Sequence, residues 1–223
     1  MKTLINAGTV CLLVLLIGAG NVAAQTPRID HSDTQQWNEV QISVPLSKQV
    51  DFMFLGTVRL GRDVRRPVDE RVGIAFSFKI SKYLTVAPSY QHITTQPLPG
   101  LDLREERLSV PATIRFKIGD FVVSDRNVIE RRFRPPRPVA SRYRNRLQIE
   151  HPLIASKKLN WFVSDEIFYD WAVDDWVRNR FSVGVNKVVN KHLTVEVFYL
   201  RQNDGRALPG DLNVIGTSWR LRP

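Results

Sequence analysis

The chain has 223 residues, 43% of them hydrophobic, with a formal net charge of +10 and a single cysteine. That is one domain's worth of chain, and one cysteine excludes a disulfide scaffold. After Gln25 no stretch is apolar for the roughly 20 residues that a membrane-spanning helix needs, so any membrane crossing must be made by strands.

Met1 and Lys2 begin a short basic end, Val10 to Ile17 form an apolar core, and Val22, Ala23 and Ala24 supply small residues before Gln25. Residues 1–24 therefore read as a cleaved secretory signal peptide. Cys11 lies inside it without a lipobox (Gly8, Thr9 and Val10 precede it), which leaves the mature chain without cysteine. Residues 25–36 are polar and without period, a flexible N-terminal segment, and a single β domain is expected over residues 37–223.

Trp37 to Val44 is the first strand candidate, with Val40, Ile42 and Val44 opposing Glu39, Gln41 and Ser43. Val50 to Leu60 follows, its apolar Val50, Phe52, Phe54, Val58 and Leu60 opposing Asp51, Thr57 and Arg59; Gly61 to Glu70 reads as a charged loop. Arg71 to Ser81 alternates most cleanly, Val72, Ile74, Phe76, Phe78 and Ile80 against Arg71, Gly73, Ala75, Ser77 and Lys79. Leu84 to Ile93 and Arg104 to Lys117 are strands interrupted by Pro88 and Pro111, with a loop over Thr94 to Leu103. Phe121 to Phe133 is a strand with Arg126, Glu130 and Arg132 inward, and the proline-rich Arg134 to Ser141 is a loop.

Arg142 to His151 sets Arg142, Arg144, Arg146, Gln148 and Glu150 against Tyr143, Asn145, Leu147 and Ile149. Leu159 to Tyr169 sets Trp161, Val163 and Ile167 against Ser164 and Glu166, with Asp165 a misfit on the apolar face. In the hairpin Val177 to Leu200, Val177, Phe181, Val183 and Val185 oppose Arg178, Arg180 and Ser182, and Val195, Val197 and Tyr199 oppose Glu196 and Phe198. A last strand runs through Val214, Ile215, Trp219 and Leu221.

Connections near Lys48, Lys82, Gly119, Lys157 and Asn190 are tight, whereas those near Arg65, Pro99, Pro136, Asp174 and Gly205 are mostly longer and richer in Pro, Gly or charge. Short periplasmic turns and longer outer loops are the habit of bacterial barrels, so the tight, lysine-bearing set is assigned to the periplasm. Counting from Val50 gives ten strands and Trp37 to Val44 an eleventh. Because closed bacterial barrels have even counts, ten or twelve is the expectation.

The fold class is therefore all-β, an antiparallel transmembrane β-barrel of about ten to twelve strands. Its runs, mostly about 9 to 13 residues, suit the 9–11 of a tilted membrane strand better than the ~5–6 of globular sheets. A soluble periplasmic β-sandwich binding module is the alternative, since alternation fits it too. The run Asp125-Arg126-Asn127 with Glu130 and Arg131, the strand of Arg142, Tyr143, Arg144 and Arg146, the run Ser164-Asp165-Glu166 with Tyr169, and Asn179-Arg180 resemble the exported bacterial family catalogued as domain of unknown function 2490. The resemblance implies an outer-membrane barrel of unassigned activity.

Arg126, Glu130, Arg132, Arg142, Arg144, Arg146, Glu150, Glu166, Arg178, Arg180 and Glu196 should converge inside the barrel. They either fill the lumen with ion pairs or line a narrow path that favours small anions. A second set, Arg62, Arg65, Arg66, Arg104, Arg134, Arg137 and Arg206, gathers at the outer end, where guanidinium groups suit the phosphates of lipopolysaccharide in the outer-membrane lipid.

No metal-ligand spacing, glycine-rich phosphate loop or assembled nucleophile–histidine–acid set occurs around His31, His92, His151 or His192. No catalytic residue, metal or cofactor is assigned, nucleic acid is not an expected partner, and a hydrolase at the membrane rim is kept as the enzymatic alternative.

Overall fold

The computed structural model describes residues 32–98, 100–154 and 158–223. The expected leader and residues 25–31 of the expected flexible segment lie outside them. Twelve strand segments form one closed sheet: β1 (Ser32–Pro45), β2 (Val50–Gly61), β3 (Arg66–Lys79), β4 (Leu84–Val86), β5 (Ser89–Leu98), β6 (Leu101–Ile118), β7 (Phe121–Arg134), β8 (Arg137–Ile154), β9 (Leu159–Asp170), β10 (Asp175–Val188), β11 (Leu193–Asp204) and β12 (Asp211–Leu221).

β4 and β5 are halves of one stave, because their registers against β3 and β6 continue unbroken past Pro88. Proline lacks the amide proton of a ladder bond, yet the carbonyls of Pro88 and Pro111 still accept from Phe76 and Ala87, at 3.1 and 2.9 Å. Merging the halves gives a barrel of eleven staves. The expectation of ten or twelve is thus corrected. A ring of antiparallel pairs must be even, but β1 pairs with β12 in parallel, Ser32 opposite Asp211 through Ile42 opposite Leu221, and that one pair lifts the parity constraint.

Strands also run further than the sequence suggested. β1 begins at Ser32, so residues 32–36 of the segment expected to be flexible are paired strand. Stretches expected as loops over residues 61–70, 94–103 and 134–141 shrink to short turns, leaving connections at the two ends similar in length. Pro67, Pro97 and Pro138 mislead there: each lies at a register shift, where a bulge skips a ladder bond and tolerates proline.

The alternation puts apolar side chains outside. Val72 is 64% exposed, Ile129 59% and Ile215 62%, and Ile74, Phe76, Val110, Phe181 and Val183 are exposed beside them. Such a continuous apolar band is too large for a water-facing surface and is what a lipid-facing barrel presents. It rules out the soluble sandwich. Inside, Trp37, Leu200, Leu212 and Val214 pack against Phe198 as an apolar cluster on β1, β11 and β12. Gly216 makes room for it, since a Cβ there would lie 2.1 Å from the Phe198 ring.

Candidate functional site

Strand parity and register bring the interior charges together. On β7, β8 and β9 the even-numbered residues point inward, and the pairing sets Glu130 opposite Arg142, Arg126 opposite Arg146, and Arg146 opposite Glu166. One oxygen of Glu130 takes Arg142 at 2.6 Å and the other takes Arg144 at 2.7 Å. Arg144 reaches on to Glu166 at 2.6 Å, and Arg180 approaches the same carboxylate at 3.7 Å. Glu130 is 1% exposed, so this chain of pairs is shielded from water. A shielded carboxylate is tolerable only because guanidinium groups occupy both of its oxygens.

Of the other interior residues expected from the sequence, Arg132 pairs with Glu105 at 2.7 Å, Arg178 with Asp204 at 2.5 Å, Glu196 with Arg220 at 2.7 Å and Glu150 with Arg115 at 3.2 Å. Arg126 and Arg146 line an inner cavity and make no ion pair among the described residues. Five further residues join the same interior: Arg59 and Arg71, which the alternation had put on polar strand faces without joining them to the charged set, and Asp69, Glu105 and Arg107, which it had not assigned. Asp69 and Arg71 bracket the boundary of a stretch taken for a loop. Glu105 and Arg107 were legible, since they oppose the apolar Leu108 and Val110 on β6.

Aromatic rings complete the middle of the lumen. Trp37 has Arg59 over its ring at 3.6 Å and Arg180 at 4.9 Å; Phe168 meets Arg142, Arg144, Arg178 and Arg180 at 4.8 to 5.4 Å. Both rings are nearly fully buried. The π faces hold guanidinium groups where carboxylates are too few.

On either side of this waist lies a cavity. The outer one, about 600 Å³, has twelve arginines and four carboxylates in its wall; the inner one, about 450 Å³, has eight and four. Their walls share Arg59, Arg71, Arg144 and Arg180, so these four arginines stand between the two spaces. The Nε–H groups of Arg59 and Arg134, both in the outer wall, are buried without a hydrogen bond among the described residues, that of Arg59 lying 3.8 Å from Asp69.

The outer-end arginines divide. Arg104, Arg134, Arg137 and Arg206 line the outer cavity, with Arg206 also paired to Asp175 at 3.2 Å. Arg62 and Arg66 donate to the Pro97 carbonyl at 2.6 and 3.3 Å, and Arg65 is exposed in the turn between β2 and β3.

Among the histidines, His151 sits between the rings of Phe121 and Trp161, and His192 holds the Arg222 carbonyl at 2.8 Å. His92 places Nδ1 2.6 Å from Glu106, whose other oxygen accepts from the Tyr90 hydroxyl at 2.5 Å. His31 lies outside the described residues. No group of three or more His, Cys, Asp or Glu that could hold a metal occurs among the described residues.

The sequence profile of the family described as "Protein of unknown function (DUF2490)" matches residues 34–212. Comparison with curated proteins gives no match. Among solved structures, the NanC porin superposes with a TM-score of 0.50 at 9% identity, covering 84% of this chain and 95% of that one. The KdgM porin gives 0.48 at 12% identity, covering 73% and 81%. The anion-selective porin from Comamonas acidovorans gives 0.40 at 11% identity; the match covers 78% of this chain and 54% of that one, so the chain spans about half its length. At these identities the likeness to the NanC porin shows a shared barrel fold.

Proposed function

The chain belongs to the DUF2490 family, and from the lumen of this family member we propose an outer-membrane channel that favours small anions and throttles them at a ring of four arginines. The observation that carries the proposal is the placement of two cationic cavities on either side of Arg59, Arg71, Arg144 and Arg180. In a narrow, poorly hydrated passage, arginine side chains both attract anions and exclude cations. The Glu130 and Glu166 pairs hold Arg144 and the wall around that ring in place.

Residues 1–24 are the cleaved export signal in this reading, and the product resides in the outer membrane of a Gram-negative cell. The lysine-bearing turns face the periplasm, and exposed Arg65 at the other end contacts lipopolysaccharide phosphate. Purified protein in liposomes should admit phosphate-sized anions well ahead of monovalent cations, and Arg59→Gln with Arg180→Gln should narrow that difference. Equal or faster cation entry would overturn the proposal.

One observation favours a second reading, hydrolysis at the membrane rim. His92, oriented through Nδ1 by Glu106, stands on the outward face of β5 with Tyr90 fixing the same carboxylate; orientation of a histidine by an acid is the arrangement of a general base. Release of fatty acid from phospholipid or lipopolysaccharide, abolished by His92→Asn, would establish it. A folded protein that releases none would remove it.

A further inference from the structure

The outward face of β7 to β9 carries a polar region that lipid does not suit. Along β9 the outward side chains are Trp161, Val163, Asp165, Ile167 and Tyr169, so a carboxylate sits between apolar and aromatic neighbours on both sides. On β7 the outward Asp125 and Asn127 lie between Val123 and Ile129, and on β8 Asn145 lies between Tyr143 and Leu147. The register gathers them: Asp125, Leu147 and Asp165 form one row, and Asn127, Asn145, Ile167 and Asn179 the next.

Their polar atoms are bonded to one another. The Asn145 amide donates to Asp125 at 2.6 Å and to the Asn127 carbonyl at 3.1 Å; Asn127 donates to Asp125 at 3.1 Å, and the Tyr143 hydroxyl to Asn127 at 2.5 Å. Asn179 donates to Asp165 at 2.8 Å. Neither aspartate has a cationic partner among the described residues, whereas Glu130, Glu150, Glu166 and Glu196 inside the barrel all have arginines. Across the barrel, β3 presents Val72, Ile74, Phe76 and Phe78 outward over a comparable span with no polar residue among them.

These bonds leave groups over. An amide has two donors and two acceptor sites, so Asn127 keeps one N–H and Asn145 keeps its carbonyl oxygen. In hydrocarbon both would go unmet. They lie side by side on neighbouring staves, as a register pair. A two-fold axis along the membrane normal and between β7 and β8 would bring the β7 of one copy against the β8 of the other, so that Asn127 of each meets Asn145 of its mate. Two copies in one bilayer share depth automatically, and a two-fold interface needs a patch that complements itself in this way. Polar side chains are the usual means of joining protein surfaces inside lipid.

We propose that the outward face of β7–β9, centred on Asp125, Asn127, Asn145 and Asp165, is a two-fold interface between two copies of this chain in the membrane. The interface stands independently of what passes through the lumen. It also gives a place to Asp165, which the alternation of β9 does not explain.

The test uses single cysteines in a Cys11→Ser background, reconstituted in lipid vesicles and oxidised. Leu147→Cys lies between the two aspartates and is exposed; it should give a disulfide-linked dimer, while Val72→Cys on the opposite wall should not. Asn127→Leu with Asn145→Leu suits lipid and should leave the heat-sensitive gel mobility of a folded barrel intact, yet abolish the Leu147→Cys crosslink. No dimer at position 147, equal crosslinking at position 72, or a dimer that survives the double substitution would each overturn the proposal.

Discussion

The two walls of the lumen are built on opposite principles. From β6 to β10 the wall is charged: Glu105, Glu130 and Glu166 are each bound by two or more arginines. Across β1, β11 and β12 it carries an apolar cluster beside the Glu196–Arg220 pair, with Trp37, Leu200, Leu212 and Val214 packed as in a small soluble core. Arg180 bridges them, with Nε donating to Gln202 at 2.8 Å, one Nη reaching toward Glu166, and its guanidinium over both Trp37 and Phe168. The contrast teaches that the charges are not free lining throughout. Carboxylates fix the arginines of one wall, aromatic faces hold those that lean toward the other, and the lumen arginines without an ion pair among the described residues line the two cavities, Arg126 and Arg146 the inner one and Arg104, Arg134 and Arg137 the outer one.

Substitutions in the two walls should therefore fail differently. The largest effect is expected from Glu130→Ala, which strands Arg142 without a counter-charge and leaves Arg144 with Glu166 alone; breaking such a shielded network costs about 3–5 kcal/mol, readable as a lowered urea midpoint for the barrel in vesicles. Leu212→Ala on the apolar wall should cost about 2 kcal/mol, near the lower end for a buried leucine because the adjoining lumen can take up water. If the two costs were reversed, the apolar wall rather than the ion-pair network would be holding the barrel interior.

The apolar wall was the less legible of the two. Trp37 opened what read as the first strand on the same face as Glu39, Gln41 and Ser43, where an apolar ring goes against the polar pattern, and Phe168 was passed over because Glu166 two residues earlier marked that face as polar. The charged wall was readable because period two separates Arg142, Arg144 and Arg146 from Tyr143, Asn145 and Leu147 without any knowledge of neighbours. Every interior charge expected on β7 to β11 is found inside. Strand ends were the weak part: Ser32 to Gln36 has no apolar residue to announce a strand, and its outward side chains stand at the barrel's rim, where no lipid pattern is imposed. The parity of the barrel was equally hidden, since a parallel closing pair leaves no local signature.

Smaller effects separate the waist from the cavity above it. Trp37→Ala should remove the platform beneath Arg59 and Arg180, loosening the ring and raising conductance, at a stability cost smaller than that of Glu130→Ala. Unchanged conductance would mean that the ring is held by its carboxylates alone. The smallest structural effect is expected from Arg137→Ala at the exposed outer mouth, within about 0.5 kcal/mol for a surface position, together with a measurable fall in anion preference. A large loss of stability there would place Arg137 in the ion-pair network rather than in the lining.

The most direct measurement is the reversal potential of single channels formed by the refolded protein in a planar bilayer under a salt gradient. The expected result is small, reproducible steps whose reversal potential shows anion preference, reduced when Arg59 and Arg180 are neutralised together. Cation preference, or electrical silence from protein whose gel mobility proves it folded, would contradict an anion path through the arginine ring.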